Sequence, residues 1–211
     1  MTTTKNLTIL QGSTFNLPVR WMNGDQIIRK PITGISIASG APRLTVVGHG
    51  CPNGWPSAVT LVKGMTPINA KNAQPKGDDY RVTTVIDADT LEYNAVSPVD
   101  DNGREWPAYT SGGFVQWFAP MDLTGKSASM VIYDKKGGTV LASTESAHAP
   151  LDVITATVDA ANKVITFSIK SSDTADFTWK KGVYEAEVYS NADDKQRIAE
   201  GVVTVSQELL P

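Results

Sequence analysis

The feature that most narrows the fold is a rhythm of short apolar runs, broken by turn residues roughly every 8 to 12 positions. In residues 14–21, Phe15, Leu17 and Val19 alternate with Thr14, Asn16 and Pro18. In residues 127–133, Ala128, Met130 and Ile132 share one side, and residues 153–158, 164–169 and 183–189 read in the same way. A period of two puts one set of side chains on a core face and the other on the opposite face. The punctuation is turn chemistry. Asn23-Gly24 is written for a tight hairpin, and Asp134-Lys135-Lys136-Gly137-Gly138 and Asp159-Ala160-Ala161-Asn162-Lys163 each join two runs. No periodic stretch supports a helix longer than about two turns. One helical turn is expected near residues 171–178, with Ser171 or Ser172 as its N-cap. The pattern predicts an all-β chain, with the strand spacing of a sandwich or barrel.

Two stretches far apart in sequence look like neighbours in one sheet. One is residues 11–21; the other is residues 117–130, a strand end, the turn Asp122-Leu123-Thr124-Gly125 and a new strand. Such a pairing predicts one β-domain opened at a hairpin, with a second module inserted there. The expected division is 1–23 with 116–211 for the outer domain and 24–115 for the insert, a small β-barrel or sandwich. Trp21, Trp117 and Trp179 end alternating runs and are expected in the core, and Pro18 marks an edge strand or bulge. Residues 66–79 and 97–112 form long loops, a class of segment that is usually functional or mobile.

Composition excludes several roles. With 41% hydrophobic and 19% charged residues, the chain has the balance of an ordinary soluble protein and not of a disordered one. A net charge of -3 with scattered basic residues argues against a nucleic-acid partner, which calls for a basic face. A lone cysteine, Cys51, permits no internal disulfide. Met1-Thr2-Thr3-Thr4-Lys5 opens without an apolar run, so no signal peptide is expected, and no run approaches the roughly 20 residues that span a bilayer. The expectation is a chain made in a reducing compartment, with no membrane partner.

Chemistry-bearing clusters are sparse. His49 and Cys51 share a Gly/Pro loop, but zinc needs four ligands and no second His/Cys pair exists. Asp87 and Asp89 could be a carboxylate pair, yet Asp-Ala-Asp-Thr also writes a hairpin turn, and Asp78-Asp79, Asp100-Asp101 and Asp193-Asp194 recur in loops. There is no phosphate-binding glycine loop, nucleophile elbow or His-Glu-x-x-His helix. The reading is a non-enzyme with no metal and no cofactor. Trp55 and Trp106 lie in loops beside Pro, and Tyr109 is close by. These three are the candidate interface, with packing on their own module, a protein contact and a platform for sugar rings all open.

Several pieces occur in this order in small β-sandwich proteins of tailed bacteriophages: Gln11-Gly-Ser-Thr-Phe15, Met121-Asp-Leu-Thr-Gly125, Thr174-Ala-x-Phe-x-Trp179, Gly182-Val-Tyr-Glu185 and Glu200-Gly-Val-Val-Thr-Val205. Residues 5–21 and 118–207 thereby resemble the immunoglobulin-like module of phage baseplate upper proteins. The insert departs from the simpler relatives. Its His49-Gly50, Val59-x-Leu61-x-x-Gly64-Met65 and Tyr80-x-Val82 followed by Asp87-x-Asp89-Thr90-Leu91 are similar to a small β-module that recurs in virion proteins. The resemblance implies an immunoglobulin-like β-sandwich carrying an inserted module, made in the host cytoplasm and resident in the virion. The implied role is a connector or decoration of the tail, neck or baseplate. Its partners would be other virion proteins, in a homo-oligomeric ring. The alternative is a carbohydrate-binding module that attaches to a surface glycan.

Overall fold

The structure is a computed structural model, and it describes residues 3–38, 40–191 and 194–207. The turns expected across 39–42 and 191–195, the Asp193-Asp194 pair and the first two residues therefore lie wholly or partly outside the described residues. The strands, in chain order, are β1 (Thr3–Thr4), β2 (Leu7–Leu10), β3 (Phe15–Val19), β4 (Met22–Pro31), β5 (Gly34–Ala38), β6 (Ala41–Thr45), β7 (Trp55–Thr60) and β8 (Arg81–Asp87). They continue as β9 (Thr90–Glu92), β10 (Phe114–Pro120), β11 (Ser127–Tyr133), β12 (Val140–Ser143), β13 (Ile154–Asp159), β14 (Val164–Ile169), β15 (Lys181–Tyr189) and β16 (Lys195–Ser206). The one α-helix among the described residues is α1 (Ser171–Ala175). The chain is all-β, and it divides into two compact units, Met1–Trp21 with Pro120–Pro211, and Met22–Ala119.

The outer unit is a sandwich. One sheet runs β1-β16-β15-β11-β12, with β2 also on β16, and the other runs β13-β14-β3. Alternation decides which side chains meet. Ile165, Phe167 and Ile169 of β14 and Tyr184, Ala186 and Val188 of β15 are buried in one core with Leu17, Met130, Ile132 and Val203. Each fully buried side chain of this size contributes about 1.5–3 kcal/mol. On the opposite face of β15 and β16, Arg197 meets Glu185 at 2.9 Å and Glu200 at 3.0 Å. Such exposed pairs are worth about 0.2–1 kcal/mol each and serve mainly to keep that face polar.

Two sequence motifs of this unit meet in space. The Gln11 amide donates to the Ala175 and Phe177 carbonyls at 3.0 and 3.1 Å, and the Thr174 hydroxyl donates to the Ser13 carbonyl at 2.8 Å. The turn at residues 11–13 thus closes the end of α1, whose last carbonyls have no partner inside the helix. The N-cap position is Lys170 and not either serine, and no side chain caps it.

Strand pairing overturns one expectation. β3 and β11 are not neighbours: β3 pairs with β14 in one sheet, and β11 pairs with β15 and β12 in the other. Alternation identifies a strand and its buried face but not its sheet, because both sheets bury their faces in the same core. β3 is an edge strand, and that location tolerates Pro18. The ends of the outer unit do meet, since the Met121 amide donates to the Trp21 carbonyl at 3.0 Å.

The Asn23-Gly24 hairpin is also corrected, because both residues lie inside the ten-residue strand β4. Asn-Gly makes a hairpin only where its flanking runs pair with each other. Here the strand pairs with β10 instead, and the Asn23 side chain accepts from the Asp25 amide at 3.1 Å. The inner compact unit runs from Met22 to Ala119, where the sequence reading has 24 to 115.

In the inner unit a single sheet runs β4-β10-β7-β8-β9-β6-β5. Its two end strands are separated in sequence only by Ile32 and Thr33. Three residue steps reach about 11 Å at most, whereas a flat seven-stranded sheet would set its edges about 29 Å apart. The sheet must therefore roll until its ends approach. Ile32 donates to the Gly113 carbonyl at 3.0 Å and Thr33 to the Thr45 carbonyl at 2.9 Å, one bond to each flank of the roll. The interior holds Trp55, Trp117, Leu44, Ile68, Leu91 and Val115.

Candidate functional site

The chemistry-bearing residues are committed to structure. The Cys51 amide donates to His49 Nδ1 at 2.9 Å, so His49 Nε2 carries the proton and donates to the Asp87 carbonyl at 2.8 Å. The Asp87 carboxylate accepts from the Asp89 amide at 2.8 Å, and Asp89 accepts from the Gly48 amide at 2.7 Å. The Asp89 amide, and after it the Thr90 hydroxyl, hold the Asp87 carboxyl below the usual range. Ser57 is buried against the hydroxyls of Thr83 at 2.6 Å and Tyr93 at 2.7 Å. No base adjoins it, and burial pushes the Tyr93 phenol up to about 12. Among the described residues no three His, Cys, Asp or Glu side chains are placed to hold a metal.

The three candidate interface residues do not share one fate. Trp55 is a correction. It begins β7, is wholly buried, and its indole donates to the Phe118 carbonyl at 2.8 Å. Pro56 follows it inside the strand, so proximity to proline did not signal a loop. Trp106 and Tyr109 are half-buried against the core of the same unit. The Tyr109 hydroxyl shares its proton between the Ile32 and Gly112 carbonyls at 3.3 and 3.1 Å.

The segment carrying them is clamped to residues 61–65. Lys63 donates to the Ser111 carbonyl and Thr110 to the Lys63 carbonyl, each at 3.0 Å. Gly64 makes the approach possible. A Cβ there would strike the Ala108 carbonyl and lie 2.7 Å from the Thr110 nitrogen, and its φ of +84° belongs to glycine.

The other side of residues 60–63 lines a groove of about 900 Å³, whose second wall is residues 69–73. Sequence reasoning did not find it. Two side chains build it. Asn69 accepts from the Val62 amide at 2.9 Å and donates to the Val62 carbonyl at 3.0 Å, imitating a strand partner. Asp79 accepts from the Lys71 amide and the Asn72 side chain, both at 2.8 Å, and from the Lys76 amide at 3.0 Å. The Asn72 side chain, then the Lys76 backbone amide, lower its carboxyl to about 2. The loop expected at 66–79 is thus a braced wall with short 3-10 turns at Thr66–Ile68 and Gly77–Asp79.

The groove is cationic. Arg29, Lys63 and Lys71 line it, and no carboxylate does. Arg29 lies over the Phe114 ring at 3.9 Å. Leu61 also lines the groove, 66% exposed and in the left-handed region at φ 61°. An exposed leucine in that conformation costs roughly 1–2 kcal/mol and is held there by the Val62–Asn69 pairing next to it. The arrangement can receive an anionic group with an apolar neighbour. No family model matches the chain, and no curated protein matches it either.

Proposed function

We propose that this chain is a non-enzymatic structural component of a tailed-phage virion, a connector or decoration of the tail, neck or baseplate that acts through protein–protein surfaces. One observation carries the emphasis on surfaces. Nine large apolar side chains are well exposed among the described residues, and seven belong to the inner unit, including Ile27, Ile37, Val47, Leu61 and Val82. Isolated exposed apolar residues are ordinary, but such a concentration in one unit suits a surface that another protein covers. The polar, ion-paired strands β15 and β16 of the outer unit contrast with it. The virion setting rests on the motif resemblance in residues 5–21 and 118–207, together with the all-β sandwich of that unit.

The test is quantitative mass spectrometry of particles purified from the genome that encodes the chain. The chain should co-purify at a fixed copy number per particle. Absence from purified particles overturns the proposal, and so does a copy number that falls with each purification step.

A further inference from the structure

We infer that the cationic groove of the inner unit receives the acidic hairpin of a second copy of this chain, a head-to-tail contact. The inference rests on the reading that the inner unit works through protein surfaces and names the partner.

The groove lining holds three cations and no carboxylate, while Lys71 also borders a neighbouring hollow that contains Asp78 and Asp79. Arg29, Lys63 and Lys71 have no ion-pair partner among the described residues. Asp79, held ionised by three neutral donors, is outside the groove lining. Thr60 is a buried member of the lining. It is 8% exposed, and its hydroxyl has no hydrogen-bond partner among the described residues.

The complementary feature is in the same unit, within residues 98–106. Val99 and Glu105 bridge, the Asp100 amide donates to the Arg104 carbonyl at 2.8 Å, and the Trp106 amide donates to the Pro98 carbonyl at 2.8 Å. Asp100 is spent on the turn, accepting the Asn102 and Arg104 amides at 2.9 Å each. Asp101 and Glu105 are exposed and in no ion pair among the described residues, and Val99 is 39% exposed beside them. The hairpin is therefore preformed, net negative and flanked by an apolar side chain, the chemistry that three cations and Leu61 would recognise. A prefolded segment loses little conformational entropy on docking. Groove and hairpin are different patches of one chain, so the contact is heterologous and propagates, closing into a ring where the rotation permits. A polynucleotide is disfavoured by the net charge of -3.

Sedimentation velocity of the full chain at low and high salt reads the contact. Self-association should appear at low salt and weaken as salt screens the exposed charges. Lys63→Glu with Lys71→Glu should weaken it about tenfold or more, as should Asp101→Lys with Glu105→Lys. Combining the four changes should restore it to within about threefold, the signature of direct coupling. Circular dichroism spectra matching the parent's would show that each variant folds. The inference is overturned by a chain that stays monomeric at high concentration in low salt, by charge reversals without effect, or by a failure of the combined variant to recover. Polygalacturonate binding that the groove variants abolish, with the chain monomeric throughout, would assign the groove to an acidic glycan instead. A monomer that is still present in purified particles overturns this contact and leaves the proposed function standing.

Discussion

Two buried tryptophans of the inner unit offer a matched experiment. Trp55 and Trp117 are both fully buried, but the Trp55 indole donates to the Phe118 carbonyl at 2.8 Å, while the Trp117 indole has no hydrogen-bond partner among the described residues. Replacing either with Phe removes about 40 Å³, a cavity cost of about 1 kcal/mol, plus about 1 kcal/mol of lost transfer energy. Trp55→Phe also strands the Phe118 carbonyl, adding about 1–3 kcal/mol, whereas Trp117→Phe removes a buried orphan donor and recovers a similar amount. The expected destabilisations are about 3–5 kcal/mol for Trp55→Phe and close to zero for Trp117→Phe, a gap of at least about 2 kcal/mol. Urea unfolding followed by far-ultraviolet circular dichroism measures both, with the m-values checking that the unfolded states are comparable. Equal losses, or a larger loss for Trp117→Phe, would refute the hydrogen-bond assignment.

Asn69→Ala should cost about 2–3 kcal/mol, because it strands both backbone groups of the buried Val62, and urea unfolding reads it. Gly64→Ala should cost more than about 2 kcal/mol through positive-φ strain and the collision with residues 108–110, and should raise hydrogen exchange across 106–112. The Asp79 carboxyl is lowered on folding, so its contribution is full above its ordinary value of 3.8 and is lost as pH falls through about 2. Groove-wall amides should lose exchange protection in that interval, and Asp79→Asn should already lack part of it at neutral pH. If the aromatics serve packing and protein contact, Trp106→Ala and the parent should both give flat glycan-array profiles, and a glycan signal that the substitution removes would contradict this.

What was legible in the sequence follows the range of the interactions that decide it. The bounds of β11 and β14 follow from local alternation alone, and their buried faces are those the pattern predicts. Sheet membership was not legible, since β3 and β11 carry the same period and differ only in distant partners. Asn23-Gly24 misled because its turn preference yields to ten residues of strand pairing. Trp55 misled because a proline neighbour reads as a loop, although that strand accepts Pro56. The groove left no local signal: Arg29, Lys63 and Lys71 come together only because β4, β10 and β7 lie side by side in the sheet, and the braces Asn69 and Asp79 read as ordinary loop residues. The nearest hint was Leu61-x-x-Gly64, an exposed leucine followed by the glycine that admits residues 108–110.

The most direct test of a chain that works through the inner unit's surface compares hydrogen exchange in the free protein and in purified particles. Protection should rise at residues 60–63, 69–73 and 99–109, with little change across β15 and β16. Identical exchange across the inner unit in both states, or protection confined to β15 and β16, would contradict the account.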